Sequence, residues 1–327
     1  MTGILKQKNP ANILLVLVCS ILIKLPAFSG THLPAINDGD TVLYRSIAGL
    51  LSSRFSSGTI SVITFVLLFM QAMMLNRLIN ENRMIQKQTY LPAMSYMLVT
   101  SLLPEWNVFS APLLANTFIL FIFFMLFKTY NRDRARGAIY NIGLALGIAA
   151  FVYSPSLVFI IWVLPGLLVM RSVKLNEWLI CIMGILTPFY IYAAYLLLFD
   201  TQNWKSILPA FSFNIPDFQQ SFWLAGSILF LVIPFLTGGY FVQINLRRML
   251  IQVRKDWSLV LIHLLLSLSV PFLSKQQHLE GLMLCTISFA SFQSSAWFYP
   301  RAGWFSGFLF WGVVLFVVAY QYWGPGW

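Results

Sequence analysis

Long apolar runs separated by short polar stretches constrain this chain more than any other feature. Hydrophobic residues make up 59% of its 327 residues and charged residues only 9%, whereas ordinary soluble domains carry roughly 25% charged residues. The pattern therefore predicts an all-α protein that crosses a membrane many times. We identify eleven apolar segments, at 11–28, 58–76, 90–103, 112–128, 138–153, 156–170, 177–199, 222–243, 258–273, 280–299 and 304–323.

Several of these segments are shorter than the roughly 20 residues that a transmembrane helix needs. The pair at 138–170 turns at Ser154-Pro155-Ser156, so it fits either two tilted helices or a re-entrant hairpin packed within the protein. We divide the chain into a transmembrane module at 1–200 and further helices at 201–327. The absence of an internal sequence repeat weakens an inverted-repeat transporter.

The basic residues concentrate in alternate loops. If the N-terminus is cytoplasmic and the segments alternate, 16 of the 21 Lys and Arg residues fall on the cytoplasmic side, 4 fall outside, and Lys24 lies within the first span. This bias predicts a multi-pass protein of the bacterial inner membrane with its N-terminus in the cytoplasm. The net charge of +11 is thus a topology signal, and no nucleic-acid-binding motif accompanies it. A cleaved signal peptide at 1–30 is the alternative for the N-terminus.

Asp38 and Asp40 stand just outside the first span, in a chain with only 10 acidic residues. A carboxylate fixed at the membrane surface can act as a general base on a substrate whose other part is dissolved in lipid. The alternative is a turn that caps the next helix, and Asp40 suits that role better because it stands closer to the helix. Thr41–Phe55 follows with Leu43, Tyr44, Ile47, Leu50, Leu51 and Phe55 on one arc, which predicts a helix lying flat in the lipid interface.

Four more charged residues could join this outer surface. Glu105 is the only acid of the second outer loop and would add a third carboxylate, or is an exposed loop charge. Lys24, Arg45 and Arg54 could bind a lipid-borne phosphate, or simply extend to the membrane surface. Gln71, Asn76, Asn116 and His263 lie in or near apolar runs, where hydrogen bonding between helices is the expected role. The three cysteines and three histidines have no ligand-like spacing, so we predict no metal site, although a divalent metal is compatible with the acids.

The order of these features resembles the GT-C superfamily of membrane glycosyltransferases, which use polyprenyl-phosphate sugars. Asp38, Asp40 and the helix at 41–55 correspond to the first outer loop and interfacial helix of that superfamily, Glu105 falls in the second outer loop, and the segment 91–104 is similar to its third span. The resemblance covers roughly the first 200 residues, and the chain lacks the large C-terminal outer domain of many members. The sequence also resembles a family of multi-pass inner-membrane proteins of Bacteroidota, from which no activity carries over.

The resemblance implies an enzyme that moves a sugar from a polyprenyl-phosphate carrier to an acceptor outside the inner membrane. Asp38, Asp40 and Glu105 would form the catalytic site, while Lys24, Arg45 and Arg54 would bind the phosphate. Two alternatives stay open: a transporter or flippase of a lipid-linked or anionic solute, and a non-enzymatic subunit of an envelope complex.

The charge bias gives a direct test of orientation. An alkaline phosphatase fused after Glu81 or Arg132 should stay inactive, because both positions lie in loops predicted to be cytoplasmic. A fusion after Arg45 in the same cells should be active and serves as the control. Periplasmic activity at either of the first two positions would reverse the predicted orientation.

Overall fold

The computed structural model describes residues 2–7, 9–29, 33–37, 40–132, 135–171, 175–199, 221–274, 279–300 and 303–324. Within these ranges all regular secondary structure is helical. The α-helices are α1 Thr2–Leu5, α2 Ala11–Ser29, α3 Val42–Arg54, α4 Ser57–Glu81, α5 Leu91–Val99, α6 Ala111–Lys128, α7 Arg136–Val152, α8 Ile160–Met170, α9 Leu175–Phe199, α10 Phe222–Leu246, α11 Ile251–Ser267, α12 Thr286–Phe298 and α13 Gly303–Trp323. Short 3₁₀ segments cover Pro104–Asn107, Ser154–Phe159, Val270–Leu273 and Leu279–Cys285.

Six of the described helices are long and apolar enough to cross a membrane: α2, α4, α6, α9, α10 and α13. The predicted all-helical, multi-pass membrane protein is confirmed at this level, but eleven spans are not. The remaining apolar segments form shorter helices, and two of them, α5 and α12, are buried along almost their whole length. A helix enclosed by protein need not match the thickness of the lipid, so a short helix is tolerated there.

Hydrogen bonds between loops define one end of the helix bundle. The backbone N–H of Tyr90 donates to the carbonyl of Leu5 at 3.0 Å, and the indole of Trp257 donates to the carbonyl of Met84 at 3.2 Å. These contacts lie among the loops that carry most of the lysines and arginines. We call this the basic end.

The opposite end joins the loops that are predicted to lie outside. The Thr41 hydroxyl donates to the carbonyl of Val152 at 2.8 Å, and the Tyr44 hydroxyl donates to the carbonyl of Phe109 at 3.0 Å. Because Asp40 and further carboxylates lie here, we call this the acidic end. For the described segments that these bonds join, the division between the two ends is the one that the predicted alternation requires.

The pair of segments at 138–170 forms two helices, α7 and α8, joined by the 3₁₀ segment Ser154–Phe159. A Cβ atom at Gly143 would overlap the carbonyl oxygen of Cys181, and one at Gly147 would overlap that of Ile185. Moving four residues along α7, from Gly143 to Gly147, moves the contact four residues forward along α9, from Cys181 to Ile185. The two helices are therefore parallel, and their backbones touch. The chain between two parallel helices must return to its starting side, and the 3₁₀ segment with α8 makes that return.

The predicted helix at 41–55 is present as α3. It joins α2, which ends at the acidic end, to α4, which begins there, so α3 lies at that end of the bundle and does not cross it. Tyr44 and Ala48 are buried against the protein. The predicted apolar arc is only partly covered, because Leu50 is 57% exposed and Phe55 is 45% exposed.

Two polar residues inside the bundle have the predicted interhelical role. Gln71 on α4 donates to the carbonyl of Leu113 at 2.8 Å, and its side-chain oxygen accepts from the Tyr96 hydroxyl at 2.5 Å. The Asn116 amide donates to the same hydroxyl at 2.9 Å. Such bonds hold α4, α5 and α6 together where no water reaches. His263 lies apart from them, bonded to Ser288 at 2.9 Å.

Candidate functional site at the acidic end

Three carboxylates from distant parts of the sequence meet at the acidic end. Asp40 precedes α3, Glu105 lies in the 3₁₀ segment Pro104–Asn107, and Glu280 lies in the 3₁₀ segment Leu279–Cys285. The Asn37 side-chain amide donates to the Glu280 carboxylate at 3.3 Å. The charges of Glu105 and Asp40 both act on Glu280. Asp38 lies outside the described residues, between Asn37 and Asp40 in the sequence.

Asp40 is not the N-cap of α3, the role that the alternative interpretation gave it. The N-cap of α3 is Thr41, whose hydroxyl accepts from the backbone N–H of Tyr44 at 3.4 Å. The Asp40 carboxylate instead accepts from the backbone N–H of Asn37 at 2.7 Å, and the Asp40 N–H donates back to the Asn37 carbonyl at 3.0 Å. This tight turn orients the Asn37 side chain towards Glu280 and brings Asp40 into the cluster.

Glu280 has a strongly perturbed carboxyl group. It is 8% exposed and belongs to no helix of membrane-spanning length. The pKa of Glu280 is raised to about 7, mainly by burial and also by the charges of Glu105 and Asp40, while the hydrogen bond from Asn37 opposes these effects. A carboxyl group that titrates near neutral pH can take up or release a proton under working conditions.

Two tyrosine hydroxyls lie in the field of these carboxylates. Burial raises the pKa of Tyr153, and the charges of Glu280 and Asp40 raise it further. The pKa of Tyr44 is raised by the same causes, and the charge of Asp40 has a larger effect on it than that of Glu280. Both phenols therefore stay protonated and are present as hydrogen-bond donors; that of Tyr44 holds the carbonyls of Ala35 and Phe109.

A tryptophan connects the segments that carry Glu105 and Glu280. The indole N–H of Trp106 donates to the carbonyl of Leu279 at 3.3 Å, and the ring is buried. Each partner is the sequence neighbour of one carboxylate, so this bond fixes how far apart Glu105 and Glu280 stand.

Lys24 supports the same loop from inside the bundle. It is only 2% exposed, and its ammonium group donates to the Thr100 hydroxyl at 3.1 Å and to the side-chain oxygen of Asn107. The prediction that Lys24 extends to the membrane surface is therefore wrong. It is wrong because two polar groups within the bundle satisfy the ammonium without water. Its described contacts hold the loop that carries Glu105.

The two arginines of α3 occupy different positions. Arg45 is exposed in the first turn, and its guanidinium donates to the carbonyl of Asn37 at 3.1 Å, beside the acidic turn. Arg54 ends the helix, nine residues further on, which at 1.5 Å per residue is about 14 Å along the axis. Arg45 is therefore the arginine placed beside the cluster.

An apolar groove adjoins the carboxylates. Its volume is about 430 Å³, within the range of sites that hold organic ligands. Trp106 and Leu279, the sequence neighbours of Glu105 and Glu280, line the groove together with Leu224, Ile228 and Val232 of α10. Ile228 is 55% exposed on this outward-facing helix, so the groove lies against the lipid side of the bundle. The hydroxyl of Ser227 bonds the carbonyl of Leu102 at 2.7 Å and holds α10 in place.

A family model described as "Family of unknown function (DUF6427)" matches residues 43–324. The chain belongs to this family. The matched range holds α3 to α13 together with Glu105 and Glu280. No curated protein and no solved structure matches the chain.

Sequence analysis missed Glu280, because that residue stands at the first position of the apolar segment 280–299 and was included in the span. A signal was present in the sequence. An acidic residue at the edge of an apolar run is costly to bury and is a candidate site residue for that reason. Among the described residues, no three His, Cys, Asp or Glu side chains are placed to hold a metal ion.

The raised pKa of Glu280 predicts how stability depends on pH. Its ordinary pKa is 4.5 and its pKa in the folded protein is about 7, so the folded state binds the proton more tightly. The folded state is therefore destabilised as the pH rises from about 4.5 to about 7. Glu280→Gln removes the ionisation and should raise the free energy of unfolding at pH 8 by about 1 to 3 kcal/mol, with a much smaller effect at pH 5.

Thermal unfolding in detergent at the two pH values measures this difference. Glu81→Gln is the control, since that carboxylate is exposed at the basic end and its loss should affect both pH values equally. A Glu280→Gln protein that loses stability at pH 8 would contradict the placement of Glu280 in a buried acidic cluster.

Proposed function

We propose that this protein is a GT-C-like glycosyltransferase that moves a sugar from a polyprenyl-phosphate donor to an acceptor on the outer face of the bacterial inner membrane. One observation carries the proposal: the segments that carry Glu105 and Glu280 also line an apolar groove, through their sequence neighbours Trp106 and Leu279. A lipid-linked sugar matches this arrangement, because its apolar chain suits the groove and its polar, reacting group suits the carboxylates.

In the proposed reaction Asp38 accepts the proton of the acceptor hydroxyl. The hydroxyl oxygen then forms a bond to the anomeric carbon of the donor sugar, while the bond from that carbon to the phosphate oxygen breaks. The polyprenyl phosphate leaves with the bonding electrons, and the charge of Arg45 offsets its developing negative charge. Asp40 and Glu105 orient the acceptor, and Glu280, with its pKa of about 7, is a second group able to hold the proton.

The proposal includes the finer topology that the charge pattern predicts, with eleven crossings, a cytoplasmic N-terminus, and α3 in the outer lipid interface. That orientation places the acidic end outside, where polyprenyl-phosphate sugars are used by enzymes of this kind. A divalent metal is compatible with the proposal and is not required by it.

The polar interior gives less support to a transporter. A transport path would bring Gln71, Asn116 and His263 together around a polar opening at the membrane midplane. Gln71 and Asn116 are fully buried and bonded to the same Tyr96 hydroxyl. His263 is enclosed separately by the rings of Phe123 and Phe159, each with a centroid 4.9 Å away. These residues hold helices together.

Glycan profiling of envelope proteins and lipids tests the proposal. A deletion strain should lose a glycan, and an Asp38→Asn strain should lose it too, because a general base contributes about 10² to 10⁴ in rate. Arg45→Gln should lower transfer far more than Arg54→Gln, since only Arg45 stands beside the acidic turn. Membrane levels of each variant control for folding.

Two outcomes would contradict the proposal at different points. A normal profile in the Asp38→Asn strain, beside a deletion strain that has lost the glycan, would remove Asp38 from the reaction but keep the enzyme. A deletion strain with every glycan intact would reject glycosyl transfer itself.

A further inference from the structure

A second, polar pocket lies at the basic end of the bundle, far from the carboxylates of the acidic end. Its volume is about 170 Å³, and it is lined by the end of α4 and by the chain that leads into α5. The lining residues are Asn76, Arg77, Asn80, Glu81, Gln88, Thr89 and Tyr90. Since liquid water occupies about 30 Å³ per molecule, the pocket has room for about five waters or for one small polar group.

Two residues that line this pocket each have a buried polar atom that lacks a partner within the described structure. The atoms are the side-chain oxygen of Asn76, a residue 5% exposed, and the hydroxyl of Thr89, a residue 1% exposed. Asn76 therefore does not make the interhelical bond that the sequence predicts. A buried acceptor without a donor is costly, so such atoms in a pocket indicate something that binds there.

The walls of the pocket are fixed in advance. The Asn80 amide donates to the Thr89 carbonyl at 2.9 Å, and its oxygen accepts from the Thr89 N–H at 3.1 Å. These two bonds hold the loop against α4, so the Thr89 hydroxyl keeps its position without a ligand. A ligand would then lose little free energy in ordering the site.

The rim carries one charge of each sign. Arg77 and Glu81 form an ion pair at 2.6 Å, with side chains 69% and 40% exposed. Exposed ion pairs between residues four apart on a helix contribute little to stability. A pair with the basic residue first is weaker than one with the acidic residue first. A ligand that carries both charges can therefore replace this pair at little cost.

The position of the pocket identifies the class of ligand. α4 has 25 residues, which is about 37 Å of helix against a hydrocarbon layer of about 30 Å. Its charged last turn therefore lies in the headgroup layer. We propose that the pocket binds the zwitterionic headgroup of an ethanolamine phospholipid. The ammonium group donates to Asn76 and Glu81, and the phosphate accepts from Arg77 and the Thr89 hydroxyl.

Native mass spectrometry of the full chain, loaded with lipids of identical acyl chains, tests this site. Phosphatidylethanolamine should be retained at least about tenfold better than phosphatidylcholine, whose quaternary nitrogen has no N–H to donate. Phosphatidylglycerol, which has no cation, should also bind more weakly. Soluble glycerophosphoethanolamine should compete with the ethanolamine lipid, which shows that the headgroup alone is recognised.

Asn76→Leu should abolish the preference for ethanolamine. Asn245→Leu is the matched control, because Asn245 also ends a spanning helix at the basic end but bonds the carbonyl of Phe241 on its own helix. Equal retention of all three lipids by the wild-type protein would mean that water alone fills the pocket. Stronger binding of phosphatidylglycerol would mean a polyol site. Either result overturns the proposal, even if the Asn76 variant fails to fold.

Discussion

The hydrogen bond from the Trp106 indole to the Leu279 carbonyl is the contact on which the acidic end depends. It joins two segments that lie more than 170 residues apart in sequence. The indole nitrogen and the carbonyl oxygen are 3.3 Å apart. One consequence is electrostatic, because Glu105 is held close enough to raise the pKa of its neighbour Glu280. The other is steric, because the same two residues line the apolar groove. A buried indole N–H must find an acceptor, so apolar burial of the ring and placement of the carboxylates are achieved by one contact.

In the rest of the bundle, too, buried polar groups are satisfied by protein partners and not by water. Lys24 contacts Thr100 and Asn107, and Gln71 contacts Tyr96. Each is a polar group inside an apolar bundle that is held by a partner on another helix or loop. Pairing is incomplete at Asn76 and Thr89, two residues that line the pocket of the basic end.

Much of the fold was predictable from local pattern. Apolar runs predicted the long helices, the arc at 41–55 predicted α3, and the loop charges predicted how the loops divide between the two ends. The sequence does not show which apolar segments face lipid, because α5 and α12 are short helices enclosed by protein, and composition cannot distinguish protein neighbours from lipid. Asp40 and Glu105 were identified from their loops. Glu280 and the inward position of Lys24 depend on contacts across 76 to 243 residues of sequence, which periodicity does not contain.

The central claim is that the groove beside Glu105 and Glu280 holds the chain of a lipid-linked substrate. Photo-crosslinking with a diazirine-bearing polyprenyl phosphate in vesicles, followed by peptide mapping, measures this directly. Crosslinks should concentrate on the α10 wall around Ile228 and on the segment 279–289, and Leu231→Trp should remove them by filling the groove. Leu236→Trp, on the exposed surface of the same helix, should leave them unchanged. Crosslinks spread evenly over the lipid-facing helices and insensitive to Leu231→Trp would contradict the account.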